Sequence, residues 1–268
     1  MDKILGLGLN QVQTRITQHK HKINLPFDKV RNGIINFYVD EVRKSKRELI
    51  KNQDLRTPTN QVAMWLSRRT ESELTAGEIQ HDLWLDRGEP GGVHIDERHP
   101  IEDDDKIWLV MQGWVGNGKT TMLRAIFELI KQLQDVNDHQ YAHLAPFSCY
   151  YITAQEMVEL FKEDKSAYIG RRNCQLLLID DVGKEPAEFL DYGNVYKVFE
   201  DMMQYRYNNR LGTIITSNLS RDNFAEVYGA RNFDRMLECT KWVAFAKGSF
   251  RDSNFMQKQM IFDSFSQK

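Results

Sequence analysis

The segment that most constrains this chain is residues 113–120, which read Gly-Trp-Val-Gly-Asn-Gly-Lys-Thr. The spacing G-x-x-x-x-G-K-T is that of a phosphate-binding loop, in which glycines let backbone N–H groups turn inward around two phosphates. An apolar run at 107–111 precedes it and reads as a buried strand, and apolar residues at helical spacing follow at 121–130. The positive end of such a helix points at a bound phosphate. The sequence therefore predicts a strand, a loop and a helix that together bind a nucleoside triphosphate.

Two side chains of this loop carry the predicted chemistry. The lysine can reach the β- and γ-phosphates, and the threonine hydroxyl that follows it can ligate Mg²⁺. ATP and Mg²⁺ are accordingly the predicted ligands, with Thr120 as one of the metal ligands. The predicted ATP-binding residues are Gly113, Gly116, Asn117, Gly118, Lys119, Thr120 and Thr121.

Two further buried strands end in polar groups. The apolar run 176–179 is followed by Asp180, a predicted Mg²⁺ ligand, and by Asp181, predicted to orient or deprotonate the attacking water. The run 213–217 is followed by Asn218, whose amide can bond the γ-phosphate or the attacking water. An Asn after a strand is often an ordinary turn residue, and its place at the third strand end of one site favours the functional role.

From residue 106 onward, apolar strands alternate with helices. Strands separated by crossover helices indicate a parallel sheet with helices on both faces, which binds ligands at the carboxyl ends of its strands. The predicted fold is therefore α/β with a five-stranded parallel sheet. Strands are predicted at 107–112, 147–152, 175–180, 213–217 and 242–245, and helices at 120–134, 154–162, 195–209 and 223–228.

Charge divides the chain into three parts. Residues 1–70 carry 14 Lys or Arg and 6 Asp or Glu, residues 71–105 carry 2 and 12, and residues 106–268 carry 20 of each. We therefore expect a basic helical amino-terminal region, an acidic insertion or linker, and an ATPase domain. The basic region contains two predicted helices, at 27–51 and about 59–69.

Two charged segments leave alternatives open. The basic end of helix 27–51 fits a solvated helix end and also a contact to DNA or to an acidic partner. The carboxylates at 102–105 fit a solvated acidic loop better than a metal site. Arg231 and Arg235, spaced i,i+4 on one helix face, fit a surface salt-bridge face and equally a pair that stabilises a phosphoryl group transferred in a neighbouring subunit.

Other classes of protein are disfavoured. No apolar run approaches the roughly 18–20 residues of a membrane span. The first six residues lack the pattern of a signal peptide, so a cytoplasmic protein is expected. The three cysteines, Cys149, Cys174 and Cys239, form no CxxC pair, which supports neither a disulfide framework nor a zinc site.

From about residue 107 to residue 251 the chain resembles the helicase-loader ATPases of the AAA+ superfamily, the DnaC-like group with its IstB-like relatives. The resemblance implies a P-loop AAA+ core; in a departure from the family's pattern, no full lid domain is expected here. The matching segments, in the family's order, are GWVGNGKTT at 113–121, LLLIDDVGKE at 176–185, TIITSNLS at 213–220, YGARNFDRM at 228–236 and GSFR at 248–251.

The resemblance also implies roles for single residues. It makes Asp180 and Asp181 the metal and hydrolysis carboxylates and Asn218 the first sensor. Arg235 is implied as an arginine finger that acts on the neighbour's ATP, with Arg231 beside it. Arg251 is implied as a second sensor.

The partners implied are a replicative ring helicase bound through residues 1–70, single-stranded DNA, and further copies of the chain in a nucleotide-dependent homo-oligomer. The family's DNA contacts follow the second strand, where the basic residues fit a phosphate backbone and a solvated loop equally well. The corresponding residues here are Lys162, Lys165, Arg171 and Arg172.

Three functions stay open at this point. The first is a DnaC-like helicase loader in which slow ATP hydrolysis acts as an assembly and release switch. The second is an IstB-like transposition helper ATPase on duplex DNA. The third is a nucleotide-gated binding protein with negligible hydrolysis, which Asp181 favours because many superfamily members carry Glu there.

Overall fold

A five-stranded parallel sheet forms the centre of the protein. The computed structural model describes residues 22–23, 25, 27–45, 55–67, 106–135, 146, 148–191 and 193–245. The strands in these residues are β1 Trp108–Gln112, β2 Cys149–Thr153, β3 Leu176–Val182, β4 Phe189–Asp191, β5 Asn194–Tyr196, β6 Gly212–Ser217 and β7 Thr240–Ala244. The helices are α1 Phe27–Lys44, α2 Arg56–Leu66, α3 Lys119–Asp135, α4 Ala154–Glu163, α5 Lys165–Asn173, α6 Val198–Asn208, α7 Arg221–Tyr228 and α8 Ala230–Cys239.

The order of the strands brings the predicted motifs together. Neighbours in the central sheet follow the order β2-β3-β6-β1-β7, and every pair is parallel. The strand before the phosphate loop, β1, is separated from the strand that carries Asp180, β3, by β6, the strand before Asn218. All three ends lie at the carboxyl edge of the sheet, where such sheets bind ligands. The predicted α/β fold with a five-stranded parallel sheet flanked by helices is thus confirmed.

Each inner strand buries side chains on both faces of the sheet. Along β1, Leu109 and Met111 belong to one core, whereas Trp108 and Val110 belong to the other. Helices α1, α2 and α3 cover the first face, and α4 to α8 cover the second. Because side chains alternate along a strand and both faces are covered, these strands read as continuous apolar runs rather than as alternating patterns.

The amino-terminal helix α1 packs directly on α3, the helix of the phosphate loop. Val30, Ile34 and Tyr38 lie on one stripe of α1 and are buried in the same core as the inner face of α3. The two helices approach closely at Gly33, where an added Cβ would lie 2.7 Å from Leu129 Cδ1. This apolar stripe of α1 is therefore used inside the protein, and the polar face of the helix is the exposed one.

Two elements were not expected from the sequence. Helix α5 lies where the sequence predicts basic residues that fit a phosphate backbone or a solvated loop. It buries only Tyr168 and so shows no apolar stripe; Asp164 caps it by accepting the Ala167 N–H at 2.9 Å. The hairpin β4–β5 replaces the start of the helix predicted at 195–209. Its Phe189 and Tyr196 rings stack with centroids 5.5 Å apart, a cross-strand contact that no single-residue pattern indicates.

Several predictions lie outside the described residues. They are the second-sensor Arg251, the acidic segment 71–105 with its carboxylates at 102–105, and the basic residues at 46–51. The boundaries of the three predicted regions stay predictions. Within the described helices, none has both the length and the apolar character needed to cross a bilayer.

Arg206 joins α6 to the second face of the sheet. The side chain is 0% exposed, and its Nε donates to Thr213 Oγ1 at 2.9 Å. Its two terminal nitrogens donate to the carbonyl oxygens of Arg172 (2.8 Å) and Cys174 (3.1 Å) and to that of Gly212. The guanidinium thereby satisfies the last carbonyls of α5 and the first carbonyl of β6.

We predict that Arg206→Met lowers the free energy of unfolding by about 3 kcal/mol, because each buried carbonyl left without a donor costs about 1–3 kcal/mol. Urea denaturation followed by circular dichroism measures the change. The control is Arg210→Met, an exposed arginine four residues away, for which we expect a change within about 0.5 kcal/mol. Equal transition midpoints for the two variants would show that the buried network does not hold these elements together.

Candidate nucleotide-binding site

The phosphate loop needs glycine at two positions for different reasons. At Gly113 an added Cβ would lie 2.4 Å from Asn117 Nδ2 and 2.8 Å from the Phe245 carbonyl oxygen. At Gly118 the backbone has φ +93°, a left-handed conformation that favours glycine. An added Cβ there would also lie 2.4 Å from the Tyr38 hydroxyl of α1. The loop is therefore packed between β7 on one side and the amino-terminal helix on the other.

Lys119 is held inside this loop. Its Nζ donates to the carbonyl oxygens of Gly113 and Trp114, both at 2.7 Å, and to Asn117 Oδ1 at 3.0 Å. The side chain is 5% exposed. An ammonium group has three donors, and the loop itself supplies acceptors for all of them.

Asp180 joins three elements at the carboxyl edge of the sheet. Its Oδ1 accepts the hydroxyl of Thr120, in the first turn of α3, at 3.1 Å, and also the hydroxyl of Thr216 in β6. Its Oδ2 accepts the hydroxyl of Tyr151, from β2, at 2.7 Å. The carboxylate is 3% exposed, so these hydrogen bonds are what makes its burial tolerable.

The chemistry of this cluster suits Mg²⁺. The two predicted metal ligands, Thr120 and Asp180, are in contact and offer hard oxygen atoms, which Mg²⁺ prefers. Protein sites for Mg²⁺ in nucleotide enzymes use one or two carboxylates and leave the remaining positions to water and phosphate.

The other predicted residues of the site border this cluster. Asp181 has φ 60°, and its backbone N–H donates to Thr216 Oγ1 at 2.8 Å. Its carboxylate is paired with the Lys184 ammonium at 2.6 Å. Asn218 is exposed and follows Ser217, whose carbonyl oxygen accepts the Gly113 N–H at 3.3 Å. Asn218 therefore follows the strand end that is hydrogen-bonded to the first residue of the phosphate loop. Thr121 lies half-buried in the first turn of α3.

The two arginines do not join this cluster. Arg235 lies over the ring of Tyr207, with its guanidinium carbon 5.7 Å from the ring centroid. Tyr207 in turn contacts Trp108, the first residue of β1, with centroids 6.3 Å apart. The phosphate loop begins at the other end of β1, about 13 Å away for a strand of this length. Arg231 is exposed in the first turn of α8, and neither arginine has a contact to the phosphate loop among the described residues.

The four candidate DNA-binding residues all lie over aromatic rings. Lys162 stands 4.3 Å from the centroid of Phe189, and Lys165 stands 5.3 Å and 5.9 Å from those of Phe161 and Tyr196. Arg171 and Arg172 each stand 3.9 Å from a ring, that of Tyr150 and that of Tyr205. The structure thus brings the two lysines to the β4–β5 hairpin and the two arginines to the end of α5.

Sequence reasoning missed two side chains that hold Asp180. Thr216 stands inside a buried strand two residues before Asn218, and a polar residue in an otherwise apolar strand is a signal that could have identified it. Tyr151 carries no such signal, because its partner is fixed by the pairing of β2 with β3, which sets Thr153 opposite Asp180. Burial raises the pKa of the Tyr151 phenol, and the Asp180 carboxylate adds to the shift, so Tyr151 is held as a hydrogen-bond donor.

No protein-family model matches the chain, and no curated protein matches it by sequence. Solved structures with a similar chain trace include a crystal structure of the DnaC helicase loader, with 19% identity, a TM-score of 0.39 and coverage of 66% of this chain and 92% of that one. A crystal structure of DnaI has 21% identity, a TM-score of 0.41 and coverage of 69% and 91%. AMPPCP-bound DnaA from Aquifex aeolicus has 20% identity, a TM-score of 0.36 and coverage of 59% and 45%.

The fold rests on the strand order and the parallel pairing described above, and the site rests on its own contacts.

We predict that Tyr151→Phe weakens the binding of Mg²⁺·ATP about tenfold, the size of effect typical of a residue that orients a metal ligand. Titration of a fluorescent ATP analogue with excess Mg²⁺ and again with EDTA measures it. Affinity in EDTA should stay unchanged, because the hydroxyl acts on Asp180 and not on the phosphates. The control is Tyr150→Phe, one residue away on the other side of the strand, with no expected effect. An equal loss with and without Mg²⁺ would contradict a role through Asp180.

Proposed function

We propose that this protein is a Mg²⁺-dependent ATPase of the helicase-loader type, which binds single-stranded DNA and a replicative ring helicase. ATP binding assembles the complex and hydrolysis releases it. The proposal combines the order of the five DnaC-like segments in the sequence with the geometry of the carboxyl edge of the sheet.

The contact between Thr120 and Asp180 carries the nucleotide part of the proposal. The two residues are distant in sequence, and a phosphate loop brings its Thr against an acidic strand end when the two share one metal ion. Their oxygen atoms are 3.1 Å apart, which suits neighbouring ligands of one ion.

Catalysis is assigned to the side chains around this contact. Lys119 exchanges acceptors within the loop for oxygen atoms of the β- and γ-phosphates, so ATP binding costs it little desolvation. Mg²⁺, held by Thr120 and Asp180, supplies charge stabilisation for the phosphates when bound. Asp181 orients and deprotonates the attacking water, and the amide of Asn218 holds the γ-phosphate or that water.

Slow hydrolysis has a specific support in the structure. The Asp181 carboxylate is paired through Oδ2 with the Lys184 ammonium at 2.6 Å, and a carboxylate held in this ion pair is less free to orient the attacking water. The pair is partly exposed, with side-chain exposures of 37% and 56%, so separating the two groups requires no unfolding. A slow hydrolytic step suits a switch, in which the ATP-bound state has to last.

A neighbouring copy of the chain completes the site in this proposal. Arg235 lies towards the amino edge of the sheet, opposite the phosphate loop of its own chain, so it does not act on its own ATP. A head-to-tail contact between two copies sets the arginine edge of one against the nucleotide edge of the next. Arg231, which is exposed one turn earlier on the same helix, is proposed to act on the neighbour's ATP as well.

The partner surfaces are proposed on either side of the sheet. Lys162, Lys165, Arg171 and Arg172 serve the phosphates of single-stranded DNA, and the rings beneath them offer stacking faces for bases. The helicase is assigned to residues 1–70. Since the inner stripe of α1 is occupied by α3, its exposed outer face and its basic end at Arg43 and Lys44 are the surface that remains.

We predict that DNA binding depends on ATP and prefers single strands. Fluorescence anisotropy on single- and double-stranded oligonucleotides with ATP, ADP or no nucleotide, at one fixed salt concentration, measures both. Lys119→Ala should remove the ATP dependence and leave the nucleotide-free affinity intact. ATP-dependent preference for duplex would instead favour a transposition helper of the IstB type, and no binding in any state would contradict the DNA role.

We also predict that Arg235 acts between subunits. Lys119→Ala and Arg235→Ala should each lower the rate of phosphate release about 1,000-fold, the effect of losing an essential arginine finger. Mixing the two variants at equal concentration should restore activity, because roughly a quarter of the randomly formed interfaces then combine an intact ATP site with an intact arginine. A mixture as inactive as its components would contradict a shared site.

A further inference from the structure

Glu185 is a buried carboxylate that the proposed chemistry does not use. It lies four residues beyond Asp181, in the loop that leaves β3, and is 7% exposed. Its Oε2 accepts the backbone N–H of Gly183 at 2.8 Å, and its Oε1 accepts the phenol hydroxyl of Tyr228. Burial raises the pKa of this carboxyl group, while the two hydrogen bonds act in the opposite direction.

Burying the Glu185 carboxylate costs folding free energy, which an exposed side chain in the same loop would not cost. Burying a carboxylate disfavours its charged form, and no lysine or arginine forms an ion pair with Glu185 in the described part of the chain. Glu188, in the same loop, is exposed and does not share the arrangement. The burial of Glu185 is therefore a specific feature of this loop.

One end of the Glu185 contacts fixes the turn that carries the hydrolytic carboxylate. Gly183 has φ +99°, and an added Cβ would lie 2.6 Å from the Leu219 side chain. The Lys184 N–H donates to the Asp181 carbonyl oxygen at 3.2 Å, which closes the turn. Leu219 directly follows Asn218, so this turn touches the segment of the proposed sensor as well. The Gly183 amide that Glu185 holds is therefore in contact with the segments that carry Asp181 and Asn218.

The other end reaches the helix that carries the two arginines. Tyr228 is the last residue of α7, and Gly229, with φ +81°, separates it from α8. The Tyr228 ring packs on Phe199 with centroids 4.5 Å apart, and its carbonyl oxygen accepts the Asn232 side-chain N–H at 2.9 Å. Asn232 lies between the two arginines on α8.

Tyr228 and Arg235 also share one environment. Tyr228, Asn232 and Arg235 line the same small cavity between α6 and α8, together with Glu200 and Tyr207. Asn232 donates a second hydrogen bond to Glu200 at 2.6 Å, so the first turn of α8 is tied to α6 as well. The position of α8 against α6 therefore depends on the contacts of Tyr228.

We propose that Glu185 is a positioning residue that couples the nucleotide site of each subunit to the arginines that the same subunit presents to its neighbour. The path runs from the Asp181 turn through Gly183, Glu185 and Tyr228 to α8. It rests on the proposed function, because it has meaning only if Arg235 acts on a neighbouring site. Its consequence is that subunits do not hydrolyse ATP independently, since the state of one site sets how well its subunit completes the next.

The test uses a mixture of two complementary variants. One partner supplies the ATP site (Arg235→Ala), and the other keeps its phosphate loop, so that it still binds ATP, and supplies the arginine (Asn218→Ala). Glu185→Gln is added to one partner at a time. We expect the restored kcat to fall about fivefold or more when Glu185→Gln is in the arginine-supplying partner, the size of a typical coupling. The KM for ATP should stay unchanged, because the site that binds ATP is then intact. A purely structural role in the ATP site would lower activity only when the change is in the other partner.

Matched variants separate the relay from general damage. Tyr228→Phe removes the same hydrogen bond from its other end and keeps the ring, so in the arginine-supplying partner it should have the same effect. Both changes together should be no worse than either alone, as expected for groups that act as one unit. Glu188→Gln, in the same loop, should change nothing. If Glu185→Gln subunits fail to fold by circular dichroism, Tyr228→Phe decides the question alone.

Two negative results have different meanings. A mixture that shows no restored activity before Glu185 is altered overturns the shared site of the proposed function and the relay with it. Restored activity that is unaffected by Glu185→Gln and Tyr228→Phe in the arginine-supplying partner overturns the relay and leaves the shared site standing.

Discussion

The buried carboxylate of Asp180 is the point on which the described structure converges. It accepts hydrogen bonds from the hydroxyl groups of Thr120, Thr216 and Tyr151, which belong to helix α3, strand β6 and the edge strand β2. A carboxylate at 3% exposure is tolerated because of these donors. Each donor is correctly placed only if the sheet has its observed strand order, so the site and the fold stabilise each other. A ligand that reorganises this carboxylate acts on three elements at once.

The two faces of the sheet are covered by different kinds of elements. On one face, α1 and α2 extend the core that α3 forms, so the basic amino-terminal region is joined to the helix that follows the phosphate loop. Tyr38 of α1 makes the contact to the phosphate loop, because its hydroxyl lies against Gly118. Burial raises the pKa of this phenol to about 12, so it stays protonated at neutral pH. On the other face, α4, α5 and the β4–β5 hairpin gather cations over aromatic rings. A partner on either face is thus close to an element that touches the proposed nucleotide site.

The carboxyl and amino edges of the sheet carry different sets of candidate functional residues. The carboxyl edge holds the phosphate loop, the acidic pair and Asn218, whereas Arg235 lies towards the amino edge, near the start of β1. This polarity suits a heterologous contact, in which unlike surfaces of identical subunits meet. The hydrogen bonds of Glu185 connect these two regions, because Glu185 accepts one from Gly183, beyond the end of β3, and one from Tyr228, next to the helix that carries Arg235.

The sequence by itself determined the fold class and the residues of the proposed nucleotide site. Glycine spacing, apolar strands and the polar residues that end them are local properties, because backbone conformation and burial on both faces leave their marks on consecutive residues. Only the tertiary structure decided that Tyr151 holds Asp180, that Glu185 is buried against Tyr228, and that Arg235 stands away from its own phosphate loop. It also decided that α5 and the β4–β5 hairpin form. These features depend on strand pairing and on contacts between residues distant in the chain, where burial and hydrogen-bond partners are set by three-dimensional packing rather than by neighbours in sequence.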